Sequence, residues 1–589
     1  MNRTSVVAIA VLVAGYSLYG GLAVAGVAVH DSLKIGSTVP AGSDAPDRAA
    51  SGSDGAINSG TLAFESVEVG LNYSHVSETR GHMEMVSSAG VYVGDYDGDG
   101  WPDVLAVGGE RPVLFENRNG TFEQSGALPE VDRDVRSAAF ADYNLDGRPD
   151  IILLAEDSPP LLLENVGGGF ERRESVFERS LDIPFGGTVA DFDRDGCPDL
   201  FVYEYGDWLE EFPVGQVNYS APLNGDNGNP DHLYWGNCSG FRHAENAGIK
   251  GDRWTLVASG VDLDGDGYPD IHAANDFNHD IVYANRGNGT FEQVVLPERT
   301  NRNGMSSEVA DVTGNGNPNV FVTNIYYPDW AAERINAETK LKARGNNLVG
   351  NLGDHAYVNR GEQYGVTKGG FGWAATIADF DNDGDEDLFH TARQMTFERR
   401  DVLFSDEELE ELRGHSYYSY PAVWERTDAN GFSRVDPEDA GFEGHDGRGV
   451  ARLDYDRDGD LDLVVATTGE FRVYENAADG RNAVQVRVLD ENGSQTGAYG
   501  ATVFVDAGDQ QRRVHARSDF LSQESRLIHV GVGDAETVDV RVVWADDTER
   551  VFEDIPAARR LVVTPGGVPS IAGAFRIHRP FVISPCTNI

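Results

Sequence analysis

A chain of 589 residues with 40% apolar side chains can bury a sizeable core, as one large repeat fold with an accessory domain or as several domains. Its formal net charge of −50, from 97 acidic against 47 basic residues, repels phosphate backbones and argues against nucleic-acid binding. Three cysteines (Cys197, Cys238 and Cys586) with no CxxC pair are too few for a disulfide scaffold.

Two further features of composition bear on the surroundings. Only five of the basic residues are lysine, and most of the acid lies outside the repeats described below. Both suit a halophilic, haloarchaeal-type surface, because at molar salt the Debye length falls to ~3 Å and self-repulsion is screened. Cys197 and Cys238 can pair if the compartment is oxidising; free or buried thiols are the alternative.

In chain order, residues 1–30 come first. Val6 to Val29 runs without a charge for 24 residues. As a helix that is ~36 Å, enough to cross a bilayer core of ~30 Å. A membrane anchor and a cleaved signal peptide ending near Ala23-Val24-Ala25 are both open, and either one exports the rest. Residues 31–60, rich in Ser, Gly, Ala and Asp, read as a flexible linker. Asn-x-Ser/Thr sequons at Asn72, Asn119, Asn218, Asn237, Asn288 and Asn492 would be glycosylation sites only outside the cell.

Residues 61–480 are repetitive. The pattern D-x-D-x-D-G-x-x-D occurs as Asp95, Asp97, Asp99 and Asp103; as Asp142, Asn144, Asp146 and Asp150; and as Asp191, Asp193, Asp195 and Asp199. It recurs as Asp262, Asp264, Asp266 and Asp270; as Asp379, Asp381, Asp383 and Asp387; and as Asp454, Asp456, Asp458 and Asp462. The fifth copy in chain order is eroded to Asp311, Thr313, Asn315 and Asn319 and reads as a weak site. Clustered carboxylates suit calcium, which takes six to eight oxygens. Position six is Gly in every copy, where a sharp turn needs a backbone that only Gly reaches cheaply. An EF-hand would need Glu at position twelve. That position holds Ala106, Leu153, Val202, Ala273, Val322, His390 and Val465 instead. Short β-rich apolar runs follow, such as Ile151-Ile-Leu-Leu and Leu463-Val-Val-Ala, so each loop feeds a buried strand. A second element, as in Leu114-Phe-Glu-Asn117…Gly120-Thr-Phe122 and Val282-Tyr-Ala-Asn285…Gly289-Thr-Phe291, reads as strand, turn and strand. About four strands per unit suits propeller blades.

These residues resemble the FG-GAP/VCBS repeats of integrin-type propellers. The resemblance implies an all-β chain: a seven-bladed β-propeller with integrin-like calcium loops on its rim, holding up to six or seven ions. Phe64 to Tyr73 is expected to pair with the last blade and close the ring. Residues 481–566 lack the loop and alternate like sandwich strands in Val484–Leu489, Ala501–Val505, Val538–Trp544 and Leu561–Thr564. Gly497-Ala-Tyr-Gly500, Ser522-Gln523-Glu-Ser525 and Val543-Trp544 resemble the ASPIC/UnbV domain, which follows FG-GAP repeats in the cartilage acidic protein-like family. Val530, Val532 and Ala545-Asp546-Asp547 depart from that pattern. Residues 567–589 read as a tail.

Insertions at 204–231, 325–356 and 394–424 carry aromatics (Tyr326, Tyr327, Trp330, Tyr417, Tyr418, Tyr420, Trp424) that could form a ligand face or pin their own loops. Scattered His232, His272, His279 and His390 read as core residues rather than a metal cluster, and Asp276 as a turn or surface ligand. No GxSxG, HExxH or P-loop is present, so the reading is a non-enzyme with no catalytic residue or organic cofactor. The leading function is a calcium-dependent recognition, adhesion or scaffold protein, extracellular or on the cell surface, with an unidentified protein or glycan ligand. It would meet the membrane only through residues 6–29. The alternatives are a calcium-dependent polysaccharide lyase or hydrolase and a non-catalytic subunit of an exported complex.

Overall fold

The computed structural model describes residues 62–75, 90–206, 228–296, 303–333, 344–353, 355–393, 420–428, 431–477, 481–506, 510–513, 519–567 and 570–574, with a few isolated positions between 405 and 411. Each Asp-rich loop joins the first and second strands of one antiparallel sheet. The first sheet is Gly90–Gly94, Asp103–Val107, Val113–Asn117 and Phe122–Gln124. The same order repeats from Val135–Ala141, Pro184–Ala190, Trp254–Val261, Glu308–Ala310, Gly372–Ala378 and Gly447–Leu453. In the last sheet the outer strand is Phe64–Val67, which pairs antiparallel with Phe471–Asn476. The expected closure by the N-terminal segment is therefore present.

The first strands touch one another in sequence, and the strand of the seventh sheet touches that of the first, so the sheets close in a ring. This is a β-propeller-like all-β fold. Every second strand, from Asp103–Val107 to Asp462–Thr467, is buried along its whole length. Sheets packed face to face bury both faces, which is why these strands read as continuous apolar runs rather than as alternating ones.

Neighbouring sheets are latched by two repeated contacts. The aromatic that begins the outer strand packs on the second residue of the preceding sheet's loop: Phe170 on Tyr96, Phe241 on Tyr143, Phe291 on Phe192, Phe64 on Phe380 and Phe122 on Tyr455. The asparagine that ends the third strand donates its amide across the same gap. Asn117 reaches the Tyr455 carbonyl at 2.8 Å, Asn285 the Phe192 carbonyl at 2.7 Å and Asn476 the Phe380 carbonyl at 2.7 Å. In the sixth sheet Arg426 takes over that task towards the Val312 carbonyl.

The C-terminal region forms two further sheets. One holds Asn482–Val488, Ile528–Gly533, Arg559–Val563 and Ser570–Ala574; the other Thr502–Val505, Gln510–Arg513, Thr537–Val543 and Glu549–Pro556. Ser570–Ala574 corrects the reading of 567–589 as a plain tail, since it pairs with Arg559–Val563. This region does not hang free. Its segment Asp519–Glu524 runs among the first strands of the ring. Asp519 accepts from the Ser307 and Ala375 amides, Phe520 packs on Phe185 and Trp373, and Ser522-Gln523 pairs in parallel with Val91-Tyr92. Gln523 bonds both main-chain groups of Phe140, and Glu524 is ion-paired with Arg452 at 3.1 Å.

Among the described residues no helix is long and apolar enough to cross a membrane. The Val6–Val29 segment and the linker lie outside the described residues, as do Asn218, Tyr417 and Tyr418. Asn72, Asn119, Asn237, Asn288 and Asn492 are exposed. Of the insertion aromatics, Trp424 and Tyr327 are buried, Trp330 donates to Glu411, and Tyr420 bonds Glu438; these contacts anchor the insertions.

Candidate metal centre

The loop shape comes from its own amides. The position-one carboxylate accepts the amides of positions five and six, as Asp191 does from Asp195 at 3.1 Å and Gly196 at 3.0 Å. Asp193 accepts from Asp195, and Asp195 from Cys197, so each acid side chain turns the next step. Position six has φ of +83° to +105° throughout, which explains the invariant glycine. Position four is also left-handed, although Leu145, Arg194, Asn382 and Arg457 stand there in four copies. The sequence reading did not see that second strained position.

The position-nine aspartate is a buried staple. Asp270 accepts from Leu263 with one oxygen (3.0 Å) and from Asn285, across the sheet, with the other (2.7 Å). Asp103, Asp150, Asp199, Asp387 and Asp462 repeat the arrangement. Burial pushes Asp103, Asp150, Asp199 and Asp270 up to about 8, against the donated hydrogen bonds, and neighbouring carboxylates add to the rise. Asp387 and Asp462 are held well above the carboxylate range for the same reasons. A cation beside these oxygens would reverse that cost.

Carboxylate oxygens converge within 4.8 Å of one another at Asp95/Asp97/Asp99, Asp191/Asp193/Asp199, Asp262/Asp264/Asp266 and Asp379/Asp381/Asp387. These all-oxygen sets fit a hard divalent cation such as calcium. The buried Asp95 Oδ1 and Asp454 Oδ1 have no hydrogen-bond partner, which is what a missing positive charge would leave. The copies are not equivalent. Arginines from the C-terminal region already reach three of them: Arg487 pairs with Asp95, Arg560 with Asp454 at 3.2 Å and Arg481 with Asp381 at 2.8 Å. In the second loop the Asn144 amide donates to Asp146, which also pairs with Arg148, so those oxygens are partly engaged. Asp456 and Asp458 lie in the seventh loop, where Asp458 is pushed up to about 9 by burial and by Asp456. The third loop keeps its acids clear of arginine pairs among the described residues, and the fourth loop meets a histidine. His355 of the next sheet reaches Asp264 at 3.1 Å.

The eroded fifth loop is informative. Asp311 still accepts from Asn315 and Gly316, and Asn319 holds the Thr313 amide. Gly314 and Gly316 are left-handed as elsewhere. The turn therefore persists with a single carboxylate, and the further acids of the other copies exceed what the backbone shape needs.

Other sequence readings are settled by geometry. Cys197, at position seven of the third loop, is bonded to Cys238 in the turn between the outer strands of the same sheet. Asp276 is not a surface ligand: it is fully buried and accepts from Tyr205 at 2.8 Å and Asn303 at 3.0 Å. The histidines have separate partners. His272 bonds Ser307, His390 the Thr391 carbonyl, and His232 bonds both Glu204 and His243. The loops thus form a ring of acidic turns on a propeller-like scaffold, and several of them bring together carboxylates that could hold a metal ion.

Comparison with known proteins agrees. The FG-GAP-like repeat model matches residues 95–153, 142–202 and 262–322, and the ASPIC and UnbV model matches 491–570. The chain therefore carries FG-GAP-like repeats followed by an ASPIC/UnbV domain. It is similar to the T-cell immunomodulatory protein of Rattus norvegicus, 28% identical over 230 residues, 36% of this chain and 35% of that protein. It thus spans about a third of the length of that curated relative. Solved structures with a similar outline are BBS1N in complex with ARL6DN (TM-score 0.40, 11% identity, 71% of this chain and 98% of that one) and Saccharomyces cerevisiae Sqt1 (TM-score 0.39, 11% identity, 71% and 100%).

Proposed function

We propose that this chain is an exported, calcium-binding recognition module in which each closed sheet acts as one blade of a seven-bladed propeller. The observation that carries the reading is the surplus of converging carboxylates in the loops over what the turn itself requires. The FG-GAP-like repeats and the similarity to an immunomodulatory protein favour recognition over catalysis, and neither matched family description names a reaction. The Cys197–Cys238 bond suits an oxidising compartment outside the cytosol.

In this reading the third loop binds calcium most tightly. The first, sixth and seventh bind it in competition with Arg487, Arg481 and Arg560. The fifth does not bind it. Thermal melting of residues 60–589 with millimolar calcium, with magnesium and with excess chelator tests this. A site with free ion at ~100 times its dissociation constant adds about 2.7 kcal/mol, so several sites should raise the melting temperature by many degrees. Equal melting in calcium and in chelator would remove the calcium reading.

A further inference from the structure

A cavity of 410 Å³ lies where the first, second and seventh loops meet the C-terminal domain. We infer that it is a binding site for an acidic sugar, a uronic-acid residue of a glycan, whose carboxylate is held by Arg457 and Arg526 and whose ring lies along Trp101. The inference rests on the recognition reading and names the class of ligand for it.

The volume is within the range of small-molecule sites, and junctions between domains are where such sites concentrate. Arg457, Arg487, Arg526 and Arg560 all line the cavity. Two of them are spent on acids: Arg487 on Asp95 and Arg560 on Asp454. Arg457 and Arg526 are in no ion pair among the described residues. Arg457 donates to the Asp99 carbonyl at 3.0 Å, and Arg526 to Thr496 Oγ1 at 2.8 Å and to the Phe140 carbonyl. The Nε atoms of Arg457 and Arg487 are buried without a hydrogen-bond partner. Buried guanidinium donors left open beside a cavity ask for an oxyanion.

The remaining walls select the rest of the ligand. Trp101 also lines the cavity, with one face of its ring covered by the Arg457 guanidinium 4.1 Å from the ring centroid. Asn119 and Gln495 also line the cavity and can take hydroxyls. Asp95, Asp99, Asp142 and Asp454 complete it. An acid-rich wall repels a phosphate or sulfate, which concentrates two charges on one group, but accepts hydroxyl donors, which leaves a hydroxyl-rich ligand with a single carboxylate on each ring.

The test is calorimetric titration of the full chain, in millimolar calcium, with trimeric galacturonate, its methyl ester and inorganic sulfate. The acid trimer should bind, with ester and sulfate at least tenfold weaker. Arg457→Gln, Arg526→Gln and Trp101→Ala should each lose about tenfold or more while melting near the wild type, as removal of a charge-assisted bond or a stacking surface does. Arg118→Gln, an exposed charge on the first sheet, should bind as wild type. If the trimer binds but all three cavity variants bind it equally well, the cavity is not the site, while the recognition reading stands. Sulfate binding as tightly as the trimer would make this an inorganic-anion site and overturn the sugar class. No binding of the trimer by the wild-type chain overturns the proposal, and a protein-partner screen then decides the recognition reading separately.

Discussion

At the scale of single residues, the position-nine aspartates do two things that pull in opposite directions. Their oxygens staple the loop to the neighbouring strand, and their burial makes ionisation costly. A carboxylate whose folded-state pKa is raised contributes stability that is full below the unfolded pKa near 4 and lost as pH rises through the folded value. For Asp103, Asp150, Asp199 and Asp270 that loss runs up to about 8. Buried histidines act oppositely in acid. Burial lowers His272 to about 3 and His75, His390 and His445 to about 4, so their stability is lost as pH falls below ~6.5. Between pH 6.5 and 8 the carboxylates therefore act largely alone. The expected outcome is that chelated protein melts at progressively lower temperature over that window and that calcium flattens the dependence. A chelated protein whose melting temperature is constant or rises from pH 6.5 to 8 would show that these carboxylates are not strained.

At the scale of elements, the unit that repeats in energy is not the single sheet but the joint between two. Asn285 ends one third strand and spends its amide on the Phe192 and Pro269 carbonyls, while its carbonyl takes the Gly287 amide. Asn285→Ala leaves a buried carbonyl of the neighbouring sheet unpaired, so a loss of about 1–3 kcal/mol is expected in urea unfolding. Exposed Asn288, in the same turn, should tolerate the same change within ~0.5 kcal/mol. Equal effects at the two positions would mean that the inter-sheet latch carries no weight. The recurrent asparagine was visible in the chain as part of a strand and turn. Its partner was not, because the accepting carbonyl lies 93 residues away in sequence.

At the scale of the whole molecule, the C-terminal domain and the ring are interlocked by contacts that should make them unfold together. Asp519–Glu524 threads among the innermost strands, and Arg481, Arg487 and Arg560 dock on three acidic loops. Phe520 is fully buried between Phe185 and Trp373. Phe520→Ala should cost about 3–5 kcal/mol. Differential scanning calorimetry should show one transition for ring and domain together, moving as one in that variant. Two separable transitions, with only the smaller affected, would show that the domain folds apart from the ring.

The sequence by itself determined what is local. Acid and glycine spacing specified the turns, apolar runs specified the second strands, and Phe64–Val67 was legible as the closing strand because a ring leaves one strand short at its seam. Alternation in Val484–Leu489 and Val538–Trp544 likewise specified the C-terminal strands. The tertiary structure alone decided which acids meet an arginine, that Asp276 is buried, that Cys197 meets Cys238, and that residues 519–524 fill the ring. Charge and hydropathy patterns report a residue's own preference for water. Whether a carboxylate faces solvent, a cation or a guanidinium from a segment hundreds of positions later depends on how the ring closes and what docks on it, and that information is spread over the whole chain.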